Sequence, residues 1–304
     1  DEADVQEDAK SFEGPDPSTP QSNNPSIHQS TTPSLRSTPL PNLILIDGYP
    51  IYNPFHLGGL FSTFIDPTVR DVTLMTGGFP ARYGGRLSSV LDVHSAEDVR
   101  SGVHGTAEIS VLASTGELGG AFGHGKGTWM IAGRRTYADK FVDLISTQDL
   151  PYHFRDEQAH FSYAFTPTTT LAVTAYNGSD ALDANIASFG DSTNANASGG
   201  TFQFGWGNSV AGATLTKTLA SRQRGGFSRW FLGDSTTIEQ RASLSAFSTG
   251  LDLGGGSLSL HNTVADRRLS GMLTARTAAH DRSFGYDVAS YEFRYNVSSS
   301  QTDV

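Results

Sequence analysis

Alternation of apolar and polar residues, from about residue 101 to the end, limits the possible folds of this chain more than any other feature. In the clearest segment, Phe161, Tyr163 and Phe165 alternate with His160 and Ser162. Because successive side chains of a β-strand point to opposite faces, this period of two predicts strands with one apolar and one polar face. The apolar sides of the other alternating segments are Val103, Ala107, Ile109 and Val111; Leu171, Val173 and Ala175; Phe202, Phe204 and Trp206; and Tyr291, Phe293, Tyr295 and Val297.

Alternation alone fits two architectures. In a membrane β-barrel the apolar face meets lipid, whereas in a soluble β-sandwich the apolar faces of two sheets pack on each other. The connections differ in length: 123–127 and 166–169 are short turns, while 136–155, 178–200 and 232–242 are long and polar. Membrane barrels have short turns at one rim and long loops at the other. The pattern by itself leaves both architectures equally open.

Composition excludes several functional classes. The 304-residue chain has no Cys, which removes disulfide scaffolds, zinc ribbons, thiol enzymes and iron–sulfur sites. Its net charge of -10 disfavours binding to nucleic acid. The nine His residues lack the H-x-x-x-H and H-E-x-x-H spacings of metal sites, and no G-x-S-x-G or paired-carboxylate pattern stands out. We therefore predict a protein that is not an enzyme and that holds neither a metal nor a cofactor.

Three regions follow one another along the chain. Residues 1–41 are rich in Ser and Pro, which predicts a disordered tail. Residues 42–100 combine short apolar runs with glycine pairs, which predicts a small α+β unit. Residues 101–304 have room for roughly ten strands at about ten residues per membrane strand plus connections. The predicted fold class is therefore mostly β.

An ordered series of motifs lies in the second and third regions. Asn42–Pro54 reads NLILIDGYPIYNP and Gly77–Arg86 reads GGFPARYGGR, followed by GEL at 116–118 and GRRTY at 133–137. The first two motifs resemble the C-terminal half of the plug domain of TonB-dependent outer-membrane receptors. The last two are similar to the first barrel strands of the same family.

The resemblance implies a partial plug at 42–100, followed at 101–304 by an incomplete antiparallel transmembrane β-barrel in the bacterial outer membrane. It implies energy-coupled uptake of a small nutrient ligand that the sequence does not identify. The implied partners are the inner-membrane TonB complex and outer-membrane lipid, with no nucleic acid. No plug first half and no TonB-contacting segment is recognisable, and roughly ten strands are under half of such a barrel. A fragment is therefore expected.

The same resemblance singles out two groups of residues. One group, the plug motif, is expected to contact carboxylates of the barrel wall, although Arg residues beside a tight turn can also be purely structural. The other group is expected at the substrate-facing apex of the plug, where a His can equally pack within a loop. The plug motif comprises Arg82, Tyr83, Gly84, Gly85 and Arg86, and the apex comprises Tyr52, Phe55 and His56.

Two other functions compete with this interpretation. A soluble, secreted β-sandwich that acts as a binding or adhesion module would seal Phe161, Tyr163, Phe204 and Phe293 between two facing sheets. A hydrolase on a β-scaffold would need a catalytic constellation, and none is recognisable in the sequence. The receptor interpretation instead requires the apolar sides of the strands to face outward and the polar sides to face the plug.

Overall fold

The computed structural model describes residues 42–83, 88–137, 152–185, 201–220, 233–254, 257–277 and 280–300. The predicted tail at 1–41 lies outside the described residues. Fifteen strands in these segments form three sheets, and the prediction of a mostly-β chain is confirmed. Among the described residues, no helix has the length and apolarity to cross a membrane.

The described part of 42–100, called the small unit below, contains a four-stranded sheet of order β2-β1-β6-β5. β1 pairs parallel with β6, and the other two pairings are antiparallel. The predicted α+β character is limited here to three short 3-10 turns at Leu57–Gly59, Asp66–Thr68 and Ala81–Tyr83. The strands are β1 (Leu43–Ile46), β2 (Tyr49–Ile51), β3 (Phe55–His56), β4 (Phe61–Ser62), β5 (Val69–Met75) and β6 (Val90–Ser95); β3 and β4 form a separate hairpin.

The turn between β1 and β2 is set by two residues. Asp47 and Gly48 both have positive φ angles, 51° and 81°. Two consecutive left-handed residues form the turn type that matches the twist of a hairpin, and Asp-Gly is a preferred pair for it. This turn brings β2 back along β1 and places Tyr49 at the surface that meets the larger sheet.

The larger sheet has nine strands in sequential antiparallel order. Within the described residues β7 and β15 each pair with a single neighbour, so this sheet is open. The strands are β7 (His104–Ile109), β8 (Ala113–Phe122), β9 (Gly127–Thr136), β10 (Tyr152–Thr166), β11 (Thr169–Asn185), β12 (Thr201–Ala220), β13 (Ser235–Leu253), β14 (Leu258–Arg276) and β15 (Asp281–Ser299).

The predicted connections are only partly right. The turns between β8 and β9 and between β10 and β11 are short, as expected. However, 152–155 belongs to β10, 178–185 belongs to β11 and 235–242 belongs to β13, where long polar loops were predicted. These segments are polar yet paired with neighbouring strands, and β11 to β15 run for 17 to 20 residues.

One face of the large sheet is apolar towards its short-turn end. We call it the outward face, because the small unit packs on the other, inward face. Phe161 and Val173 are both 38% exposed there, and neither is sealed against a second sheet. One cross-strand row of this face consists of Trp129, Phe161, Val173, Ala213, Ala242, Leu269 and Val288.

The polarity of the two faces is exchanged towards the opposite end of the strands. Phe204 and Phe293, expected on the outward face, lie on the inward face, because their register neighbours there contact the small unit. Neither is sealed between two sheets, and Phe293 is 58% exposed. The outward positions of this half are polar instead, and they include Glu157, Asn177, Ser209, Arg155 and Glu292.

Candidate functional site

The contact between the small unit and the inward face of the sheet is the candidate functional site. Its apolar part is small: Ile46, Tyr49 and Ile51 pack against Tyr176 and Val210 of β11 and β12. Buried polar side chains account for most of the remaining contact. The small unit therefore attaches to the sheet mainly through hydrogen bonds and ion pairs.

His56 forms the centre of the first polar cluster. Its Nδ1 lies 2.7 Å from Asp180 Oδ2 and its Nε2 lies 2.9 Å from Asp156 Oδ1. The His56 ring is stacked on Phe154, with 3.9 Å between ring centroids and 4° between planes. His56 is only 1% exposed, so its ring is enclosed against the inward face of the large sheet. We call this inward face the wall.

The wall completes this cluster with further donors. Arg134 donates from Nε and Nη2 to Asp156 Oδ2, at 2.9 and 2.6 Å. Tyr176 donates to Asp156 Oδ1 at 2.6 Å, and Tyr152 donates to Asp180 Oδ1. Two carboxylates are therefore matched by two cations when His56 is protonated, and such matching is what makes buried charge tolerable.

The environment of His56 favours its charged form. Burial alone lowers the pKa of His56, but the hydrogen bonds to Asp156 and Asp180 and the charges of these carboxylates outweigh it and raise the pKa above its usual value. A raised His pKa means that the contribution to stability is full below about pH 6.5 and is lost as the pH rises through the folded-state value.

A second cluster surrounds Asp47 of the β1–β2 turn. Its Oδ2 accepts hydrogen bonds from Ser95 Oγ and Thr174 Oγ1, both at 2.6 Å, and its Oδ1 accepts from the Ser95 backbone at 2.8 Å. His160 of β10 lies beside it, with Nδ1 3.3 Å from Asp47 Oδ2 and Nε2 3.7 Å from Glu97. Burial raises the pKa of Asp47, but these hydrogen bonds hold it well below its usual range.

The predicted plug motif reaches the wall through Arg82. Its Nη2 lies 3.4 Å from Oε1 of Glu239 in β13, and the same oxygen lies 2.9 Å from Nε of Arg241. The guanidinium of Arg82 also lies over the ring of Tyr83, 5.3 Å from its centroid. Gly84, Gly85 and Arg86 lie outside the described residues.

Tyr83 connects this motif to the β1–β2 turn. Its hydroxyl donates to Asp92 Oδ2 at 3.2 Å, and Asp92 Oδ1 accepts the backbone N–H of Gly48 at 3.2 Å. Arg241 lies directly against Gly48, since a Cβ at that position would be 2.1 Å from Arg241 Nη1. The two motifs, 35 residues apart in sequence, therefore meet at one place on β13.

The three residues predicted at the apex are placed differently from one another. Tyr52 donates to Asp266 Oδ2 at 3.2 Å, and Phe55 is 49% exposed. His56, by contrast, faces the wall, because both ring nitrogens are held by carboxylates. Its partners lie near the ends of β10 and β11 that adjoin the connections 137–151 and 186–200, whereas Glu239, the partner of Arg82, lies near the other end of the sheet.

Sequence reasoning missed the wall residues of both clusters. Asp156 and Asp180 lie within strands at positions that alternate with Arg155 and Ser179, so they show the same period of two as ordinary polar positions. One signal was available in the sequence: each of these carboxylates lies inside a strand. An Asp or Glu is rarely buried unless it is paired, so a buried position there would have implied a cationic partner. Within the described residues no group of three or more His, Asp or Glu could hold a metal ion.

Aromatic residues line the inward face beyond the small unit. We call this set the inward aromatic patch: Phe204, Trp206, Phe247, Phe293 and Tyr295. Trp206 lies 5.2 Å from Phe204 between ring centroids, and its buried Nε1 has no hydrogen-bond partner. Such surfaces can bind ligands that have apolar or aromatic faces.

Solved outer-membrane proteins are similar to this chain. The ferripyoverdine receptor of the outer membrane of Pseudomonas aeruginosa matches 86% of this chain and 47% of its own, with 11% identity and a TM-score of 0.41. The match to the outer-membrane transporter YddB of Escherichia coli covers 86% of this chain and 47% of the transporter, with 12% identity and a TM-score of 0.35. The match to the siderophore receptor PirA of Acinetobacter baumannii covers 86% of this chain and 51% of the receptor, with 10% identity and a TM-score of 0.34.

The chain spans about half the length of each of these proteins. No protein-family model matches the chain, and no curated protein matches it by sequence.

Arg134 is a position of the sheet where loss of a cation should be costly, because its partner Asp156 is buried. We expect Arg134→Leu to destabilise the protein by about 3–5 kcal/mol, because it leaves a buried carboxylate without its cation. The matched control is Arg135→Leu, which removes an exposed guanidinium from the opposite face and should change stability by less than about 0.5 kcal/mol. Urea unfolding in detergent measures both, and equal effects would contradict the assigned ion pair.

The β1–β2 turn gives a second prediction. Gly48→Ala should cost about 1–3 kcal/mol, because Gly48 has a φ of +81° and a Cβ would displace Arg241. Gly77→Ala is the control, since its added Cβ would have nothing within 4 Å and its φ is not positive. Thermal unfolding of both variants checks this, and a neutral Gly48→Ala would show that Arg241 is not held against the turn.

Proposed function

We propose that this chain is a segment of a TonB-dependent outer-membrane receptor, in which the small unit is part of the plug and the nine-stranded sheet is part of the barrel wall. The single observation that carries this proposal is the inside-out sheet. His160 and Thr174 are buried on the inward face, at 6% and 1% exposure, while Phe161 and Val173 on the outward face are 38% exposed. A soluble protein would bury these faces the other way round.

The backbone of the sheet supports a membrane environment. A segment within lipid must satisfy its backbone hydrogen bonds internally, and sequential antiparallel pairing does so for every strand between β7 and β15. The two remaining edges, on β7 and β15, require further strands to close a barrel. The soluble sandwich is disfavoured because Phe161 and Val173 remain exposed instead of packing on a second sheet.

The proposed activity is import of a small nutrient ligand without chemical change. The ligand would bind between the inward aromatic patch and the exposed side chain of Phe55, at the end of the sheet that adjoins the connections 137–151 and 186–200. Coupling to an inner-membrane TonB complex is proposed from the sequence resemblance. A site of aromatic side chains with few polar groups is suited to binding rather than to catalysis.

Fractionation of cells that express the complete gene product tests the proposed location. We expect the protein in the outer-membrane fraction, in a form that detergent extracts. Recovery of a stable monomer from the soluble fraction without detergent would overturn the proposal. Deletion of the gene should also abolish energy-dependent growth on one nutrient from a panel of siderophores, cobalamin, oligosaccharides and peptides.

The outward face provides a quantitative test of lipid contact. Val173→Arg places a charge within the apolar rows and should destabilise the protein in a bilayer by about 2–4 kcal/mol. Ser209→Arg is its control, since it places the same charge on the same face among polar neighbours and should cost no more than about 1 kcal/mol. Unfolding measured in lipid vesicles compares the two, and equal costs would argue against a membrane boundary between them.

The inward aromatic patch provides a test of ligand capture. For the nutrient identified by deletion, Trp206→Ala should raise the half-saturating concentration for uptake roughly tenfold, as expected for an aromatic residue central to an interface. Phe161→Ala removes an aromatic ring from the outward face and should leave this concentration unchanged. If Trp206→Ala left the half-saturating concentration unchanged while Phe161→Ala raised it, the ligand would not bind at the inward aromatic patch.

A further inference from the structure

The small unit and the sheet exchange histidines across their interface. His56 of the small unit lies between Asp156 and Asp180 of the sheet, at 2.9 and 2.7 Å. In return, His160 of the sheet lies beside Asp47 and Glu97 of the small unit, at 3.3 and 3.7 Å. Each histidine therefore faces two carboxylates that belong to the other partner.

The carboxylates around His56 place a hydrogen-bond acceptor at each of its two ring nitrogens. All four carboxylate oxygens of Asp156 and Asp180 already accept a hydrogen bond from Arg134, Tyr176, Tyr152 or His56 itself. Ionised carboxylates only accept, so each imidazole nitrogen in contact with one must donate. An imidazolium meets both of these acceptors, and its charge together with that of Arg134 balances two ionised carboxylates.

His160 also lies between two carboxylates, and a positive charge on its ring would be balanced there. Thr174 donates its proton to Asp47, so its oxygen accepts the hydrogen from His160 Nδ1 at 3.0 Å. Nε2 of His160 lies 3.7 Å from Oε1 of Glu97, too far for a direct hydrogen bond, so this contact is one of charge alone when His160 is protonated. The contact with His160 lowers the pKa of Glu97, and Arg70 adds a smaller contribution in the same direction.

We propose that His56 and His160 form a proton-dependent latch, which holds the small unit on the sheet while both are protonated and weakens when they lose their protons. Loss of either proton leaves two carboxylates in a buried site with one positive charge fewer. The attraction between the small unit and the sheet is then lost at that place, and loss of both protons removes it at two places. This inference concerns the attachment alone and does not depend on the proposed transport activity.

The sign of the effect follows from proton linkage. The attached state binds a proton at each histidine more tightly than the released state does, so release is favoured as the pH rises. For each histidine that titrates, the equilibrium constant for release should rise by up to about tenfold per pH unit above the folded-state pKa. At acidic pH the latch is closed, because both histidines are protonated.

A probe on the small unit can measure this release in the full chain. Because the chain has no Cys, Phe55→Cys introduces a single labelling site at an exposed position. A spin label there gains mobility when β3 leaves the wall, and urea titrations in detergent between pH 6 and 10 give the release constant at each pH. We expect this constant to rise steeply with pH, and a flat profile would overturn the proposal.

Matched variants identify the groups responsible. His56→Gln combined with Asp180→Asn keeps the charge balance and the hydrogen bonds. In this variant the release constant should rise less steeply with pH, by a factor of up to about ten for each pH unit. His160→Gln should reduce it independently. Arg82→Gln is the control, because it weakens another contact to the wall and should shift the release constant equally at every pH. An unchanged pH dependence in both histidine variants would show that the latch does not exist.

Discussion

Neutralisation of buried charge is the constraint on which the rest of this structure depends. The inward face of the sheet carries Asp156 and Asp180 at positions that solvent does not reach, and an isolated carboxylate there would cost several kcal/mol. Arg134 supplies one cation from the neighbouring strand, and His56 supplies the other from a different part of the chain. The position of the small unit is thus fixed by charge as much as by shape, which explains why its apolar contact can be so small.

The exchange of polarity along the strands follows from a similar argument. A strand of 19 residues is long enough for its two halves to meet different surroundings. Near the short turns, the outward side chains are apolar and the inward ones are polar, and near the other end this relation is reversed. The same alternation therefore continues along β12 and β15, but in the half far from the short turns the apolar side chains lie on the inward face instead of the outward face.

Much of this fold could be predicted from the sequence. The period of two specified the strands, and the Asp-Gly pair specified the β1–β2 turn, because both signals are local. The facing of Phe204 and Phe293 could not be read in the same way, since the pattern shows that two faces differ and does not show which one meets lipid or protein. Similarly, polar segments such as 178–185 looked like loops, because a strand that is polar on its outer half lacks the apolar signal.

The candidate site was predictable only in part. Arg82 and Tyr83 were singled out by a motif, and the structure brings Arg82 to Glu239 of the wall, a carboxylate that no local pattern marks. His56 was expected to face a substrate, because its neighbours Tyr52 and Phe55 suggested an apex. Its actual partners are 100 and 124 residues away in sequence, and pairing over such distances is decided by the register of β10 and β11.

Those long separations have a consequence for the order of assembly. During synthesis the small unit emerges before β10 and β11, so His56, Asp47 and Glu97 exist for some time without the groups that neutralise them. Their charge keeps this early segment hydrated and discourages premature collapse, since polar side chains remain favourable in water. Each hairpin of the sheet can form between sequence neighbours, whereas docking of the small unit must wait until the strands that carry its counter-charges have been made.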